Sequence, residues 1–241
     1  MKFLIINMYK NHVLFKSRGL KEFFIDALQG NKLIFKRWDD SKGIRDVLKG
    51  NRIDGKRIDG KRIDGKRIDG KRIDGKRIDG KRIDGKRIDG KRIDGIIITG
   101  SEYFVKDEGS AIIDEGILTS NIPILAMCYG FHYLVYRYGE PSFIKSSNCK
   151  MVYSRSFRIT KPFHIPKNIY SFWHKDYVVK VPKGFKVIKK MGEKIIIAYN
   201  SKKNILAVQF YLYKYKKAVK IFFNHWIAKC VVPKATKPQA P

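Results

Sequence analysis

Cys128 stands between two small residues, in the run Ala126-Met127-Cys128-Tyr129-Gly130. A small residue two before and two after a nucleophile is the spacing of a nucleophile elbow, a sharp strand-to-helix turn with little room for side chains on its flanks. Such a turn lifts the sulfur above a sheet at a helix N-terminus, where the macrodipole and free N–H groups favour thiolate. On spacing alone, a small core residue is the commoner role of a cysteine ending a buried strand.

The elements that must carry this turn read as alternating strands and helices. Phe3–Asn7, Lys32–Trp38, Ile96–Thr99 and Ile122–Met127 are apolar runs suited to buried strands. Apolar positions 20, 23, 24, 27 and 28 give helical spacing over Gly19–Gln29, and further helices are predicted over Lys42–Leu48, Ser110–Leu118 and Tyr129–Tyr138. Alternation of this kind implies a parallel sheet with helices on both faces and sites at the carboxyl ends of the strands. From about residue 140 the pattern changes to short strands, Met151–Ile159, Tyr177–Val181, Lys186–Lys189, Lys194–Tyr199 and Leu206–Phe210. A last helix over Lys216–Cys230 would pack Ala218, Val219, Phe222, Phe223 and Trp226, and the Pro-rich 233–241 reads as a flexible tail.

Composition narrows the class. The 241 residues carry 52 Lys and Arg against 22 Asp and Glu, a formal net of +30, yet 44% are hydrophobic, which excludes wholesale disorder. Three cysteines, at 128, 149 and 230, are too few and too scattered for a disulfide framework or a zinc cluster, so neither metal nor cofactor is predicted. No apolar run reaches 18 residues and the N-terminus lacks a signal-like apolar core. The expectation is therefore a cytoplasmic protein without a membrane span.

Residues 51–95 are nine pentads, Asn-Arg-Ile-Asp-Gly once and Lys-Arg-Ile-Asp-Gly eight times. A period of five turns Ile by 140° per unit on a helix and alternates its face on a strand, so no continuous apolar stripe forms. The expectation is a disordered, solvated insertion into a single domain spanning 1–232. Lengthening one loop from about 5 to about 45 residues costs only about 2 kcal/mol by the logarithmic closure rule, so a fold could carry it.

Four segments, taken in order, resemble the class I glutamine amidotransferases, and most closely the glutaminase domain of GMP synthases. Ile93-Asp94-Gly95-Ile96-Ile97-Ile98-Thr99-Gly100-Ser101 resembles the family's Asp-Gly-Ile-Ile-Leu-Ser-Gly-Gly strand and loop. Pro123 to His132 resembles its Pro-x-Leu-Gly-Ile-Cys-Tyr-Gly-Met-Gln segment, Phe172-Trp173-His174-Lys175-Asp176 its Trp-Met-Ser-His-Gly-Asp turn, and Leu206 to Phe210 its Gly-Val-Gln-Phe-His-Pro-Glu segment. The resemblance implies a flavodoxin-like α/β fold, a mostly parallel central sheet flanked by helices with a small antiparallel sheet. It implies Cys128 as nucleophile attacking a glutamine side-chain amide, and an oxyanion hole from the Tyr129 N–H and the backbone at Gly100 and Ser101. It also places His132 and His174 beside the substrate, and it implies glutamine as ligand and a synthetase as recipient of ammonia.

The chain departs from the family where catalysis needs it most. Tyr211 replaces the histidine base and Tyr213 the orienting glutamate, while His132 replaces a glutamine-contacting Gln and Ser101 the second glycine of the oxyanion loop. A phenol of ordinary pKa near 10 is only about 0.1% ionised at pH 7, and loss of a triad base costs on the order of 10⁶-fold in a serine protease. Three readings follow: a catalytically impaired pseudoenzyme kept for binding or assembly; an active Cys128 enzyme feeding ammonia to a separate synthetase chain; and a basic protein binding nucleic acid or other polyanions weakly and without specificity.

Overall fold

The computed structural model describes residues 1–10, 19–52, 92–211 and 216–232. Most of the pentads, the tail after Val232 and Tyr213 lie outside the described residues. Five parallel strands form one side of the sheet: β1 (Lys2–Asn7), β2 (Lys32–Arg37), β3 (Gly95–Ile98), β4 (Ile124–Met127) and β9 (Ile205–Val208). They lie in the order β2-β1-β3-β4-β9. The antiparallel strands β8 (Lys194–Asn200), β6 (Ile165–Val178) and β5 (Ile144–Ile159) extend the same sheet beyond β9, and β7 (Lys186–Met191) pairs with β8.

The continuous apolar runs of β1, β3 and β4 are buried on both faces, as a helix-covered parallel sheet requires. Side-chain alternation splits them. Phe3, Ile5, Ile97 and Leu125 pack under α1 (Leu20–Ala27) and α5 (Lys216–Trp226) with Phe24, Phe222, Phe223 and Trp226. Leu4, Ile6, Ile96, Ile98 and Ala126 face α2 (Ser41–Arg52), α3 (Glu115–Leu118) and α4 (Tyr129–Tyr138) through Ile44, Leu48, Ile117 and Leu134. The described residues resume at Arg92, within the last pentad, which leads into the amino end of β3, the opposite end of the sheet from Cys128.

Several elements differ from the sequence-based expectation. The helix predicted over Ser110–Leu118 is only Glu115–Leu118, because the Asp114 carboxylate accepts the Gly116 N–H and caps it there. Of the strands expected between 140 and 210, β7, β8 and β9 are short as expected, whereas Met151–Ile159 belongs to a long hairpin, β5 with β6, in which the Phe172 to Asp176 segment lies within a strand rather than a turn. The alternation that would have marked its length is interrupted by polar residues on the buried face (His174, Asp176) and apolar ones on the exposed face (Val152, Ile169). The last helix gives way at Trp226 to a π-turn over Ile227–Val231. Among the described residues no helix is long and apolar enough to cross a membrane.

Candidate functional site

Three neighbouring parallel strands deliver the site. β3 ends at Gly100 and Ser101, β4 at Cys128, and β9 at Gln209, Phe210 and Tyr211, all at the carboxyl edge of the sheet. Cys128 takes φ 48°, ψ −102°, a left-handed-side conformation a non-glycine residue rarely adopts. Two backbone bonds hold it there, its N–H to Val208 O at 2.7 Å and its carbonyl accepting the His132 N–H at 3.0 Å. A Cβ at Gly130 would lie 2.9 Å from the Ile98 side chain, which is why the flank of the elbow has to be bare.

The thiol is 3% exposed, and burial pushes its pKa up to about 11. The Tyr211 hydroxyl and the Tyr129 backbone N–H, both on the sulfur, draw it down only in part, and the Asp176 charge opposes them. Desolvation thus outweighs the helix N-terminus, and the sulfur rests as thiol.

Tyr211 stands beside the elbow, its hydroxyl on the Cys128 sulfur. Its N–H donates to Ser171 O at 2.8 Å, anchoring the residue against β6. Its ring lies against Gly100: a Cβ there would be 2.5 Å from the phenol oxygen and 2.6 Å from Cε1. The phenol therefore sits between the Gly100–Ser101 loop and the sulfur. That loop is tied to β1, with the Ser101 hydroxyl donating to Met8 O at 2.7 Å and the Met8 N–H donating to Thr99 Oγ1 at 3.0 Å.

Both histidines reach the site but neither bonds to the sulfur. His132, one turn into α4, donates from Nε2 to Gln209 Oε1 at 2.7 Å, and Gln209 Nε2 in turn donates to Cys128 Sγ at 3.7 Å. A neutral amide in this chain carries no charge to relay a proton toward an imidazolium. Burial holds the His132 pKa below the ordinary value. His174, on β6, donates from Nδ1 to the backbone carbonyl of Asp176 at 2.8 Å, leaving Nε2 buried without a hydrogen-bond partner. Burial first, then the charge His132 can carry, lowers its pKa to about 4. The Asp176 carboxylate accepts from Ser146 instead of orienting either imidazole.

These positions line a cleft of about 510 Å³, open mouth included, bounded by Ser101, Cys128, His132, Lys150, Trp173 and His174. Lys150 lies 4.4 Å from the centre of the Trp173 ring and gives the mouth a positive charge. The sequence-predicted Cys128, Tyr129, Gly100, Ser101, Tyr211, His132 and His174 converge here, whereas Tyr213 lies outside the described residues. Gln209, fully buried between His132 and the sulfur, carries a contact the sequence reading did not assign. Its signal was a lone amide in the apolar run Leu206-Ala207-Val208-Gln209-Phe210, where an unpaired polar group would be costly. Among the described residues no group of three His, Cys, Asp or Glu side chains converges to hold a metal ion.

The buried imidazoles make stability pH-dependent. His174 titrates near 6.5 when unfolded and near 4 when folded, so the unfolded chain binds the proton first. Stability is complete above pH 6.5 and falls as pH drops through the window from 6.5 to 4, with His132 adding the same sign. Urea unfolding is expected to show a loss of about 2–3 kcal/mol between pH 7 and pH 4.5, reduced in His174→Gln. An equal loss in that variant would assign the pH dependence elsewhere.

A family model described as glutamine amidotransferase class-I matches residues 76–214. The glutamine-hydrolysing GMP synthase of Wigglesworthia glossinidia brevipalpis is 31% identical over 129 residues, covering 48% of this chain and 25% of that protein. That of Lactobacillus gasseri is 35% identical over 124 residues, covering 48% and 23%. The match thus spans about a quarter of the length of these curated relatives. A crystal structure from Thermoplasma acidophilum, described as that of a GMP synthase subunit, shares the fold at a TM-score of 0.55 and 14% identity, over 95% of this chain and 94% of that one.

Proposed function

Because the chain belongs to the class I glutamine amidotransferases, we propose that it is a member with an impaired glutaminase centre, kept for binding or assembly. The observation that carries this reading is a buried sulfur with a phenol, not an imidazole, beside it. Attack of Sγ on a glutamine side-chain amide carbon forms a thioester and releases ammonia. The thiol proton has to pass to a base and then to the departing nitrogen, and water has to be activated to free glutamate. The elbow, the Tyr129 N–H and the loop at Gly100 supply the nucleophile's place and the oxyanion donors. Tyr211 puts a phenol where an imidazole would take that proton, and no carboxylate orients His132 or His174 among the described residues.

A second reading rests on one feature, the partnerless Nε2 of His174 at the cleft wall. A substrate bound there could bridge it to the sulfur, giving a slow Cys128 enzyme that passes ammonia to a separate synthetase chain. Incubation with glutamine and an ammonia readout decides between them. Turnover below about 0.1 per second, unchanged in Cys128→Ala, is expected; a Cys128-dependent rate above that would establish the active enzyme.

A further inference from the structure

A second cavity lies at the other end of the sheet. It is walled by the turn between β5 and β6 (Lys161, Pro162), by β7 (Lys186, Val187, Ile188), by the turn leading into β9 (Ser201, Asn204) and by the end of the C-terminal helical segment (Lys229, Cys230, Val232). It encloses about 1330 Å³ with its open mouth. Because Asn204 precedes β9 while Gln209 follows it, this groove and the Cys128 cleft stand at opposite ends of that strand.

Its chemistry is two-sided. Val187 and Val232 leave 39% and 48% of their surface exposed, beside Pro162 and Ile188. Lys161, Lys186 and Lys229 stand on the same groove, no acidic residue lines it, and none of the three has an ion-pair or hydrogen-bond partner among the described residues. The imbalance belongs to this whole part of the chain. Residues 141–211 hold fifteen Lys and Arg against two acidic residues, of which Asp176 is buried and Glu193 is tied to Lys145. Residues 233–241 add two lysines and no acidic side chain.

The geometry points to a binding site for an alkyl-chain anion, its head between the lysines and its chain along Val187, Ile188 and Val232. A small inorganic anion would leave the aliphatic wall wet, and a neutral apolar molecule would leave three cations unmatched. A nucleotide is disfavoured by the lining: Tyr199 is its one aromatic residue, 8% exposed, and its hydroxyl already donates to Asn204 at 3.3 Å. Aliphatic walls with a few fixed polar groups are the ordinary make-up of small-molecule clefts.

Decanoate and decyl phosphate, titrated by calorimetry below their micelle concentrations, test the assignment and separate carboxylate from phosphate heads. Saturable binding of one of them per chain is expected, at least tenfold tighter than acetate or 1-decanol and weaker at high salt. Lys186→Gln with Lys229→Gln should weaken it about tenfold, and Val187→Glu should abolish it, with melting temperatures confirming that both variants fold. Cys128→Ala should bind unchanged, which keeps this result separate from the glutaminase reading. No saturable binding, equal binding of 1-decanol, or indifference to both groove variants would overturn the proposal.

Discussion

Replacing Tyr211 by histidine and Tyr213 by glutamate is expected to raise Cys128-dependent glutamine hydrolysis by about 10³-fold or more. The elbow is already built: Cys128 holds its strained φ, Gly130 leaves room for Ile98, and the Tyr129 N–H meets the sulfur. Among the described residues, no imidazole bonds to the sulfur. Tyr211 already stands against the sulfur and Gly100, so an imidazole on the same backbone starts within reach, and being smaller it relieves the close approach to Gly100. Triad bases are worth up to about 10⁶-fold, and the departures at Ser101 and His132 make full recovery too much to expect. Tyr211→His alone should gain far less, because an imidazole without its acid lacks orientation and stabilisation of its cation, a defect worth about 10⁴-fold in a serine protease. Cys128→Ala in the double variant should return the rate to background. A double variant no faster than the parent would mean that residues 211 and 213 are not where the lost chemistry belongs.

Thiol labelling offers the second large contrast. At pH 7.5 a thiol with pKa about 11 is only about 0.03% thiolate, whereas an unperturbed one is about 10% ionised, so Cys128 should react with iodoacetamide about 300-fold more slowly than an ordinary thiol. Peptide mass spectrometry should therefore find the exposed Cys149 alkylated first, with Cys128 and the buried Cys230 protected. The Cys128 rate should climb about tenfold per pH unit toward pH 11, until the phenols ionise and the fold gives way. In the Tyr211→His, Tyr213→Glu variant the same position should label readily near neutral pH, which ties the two experiments together. Labelling of Cys128 in the parent as fast as Cys149 would show that the helix N-terminus, not burial, governs the thiol.

What the linear text determined is local. Small residues at 126 and 130, apolar runs at 3–6 and 96–98, and helical spacing after Cys128 each act through neighbours a few positions away, so the strand-turn-helix and the parallel sheet were legible. The outer strands were less so, since buried His174 and Asp176 and exposed Val152 and Ile169 interrupt the alternation of a hairpin whose order comes from pairing. What only the folded chain decided are contacts between distant residues. His132 meets Gln209 across 77 positions, Gln209 meets the sulfur across 81, and Tyr211 packs against Gly100 because β3 and β9 flank β4. The same enclosure decides the charge states. A cysteine beginning a helix reads in sequence as a thiolate, but desolvation in the closed cleft outweighs the helix field and keeps the proton on sulfur.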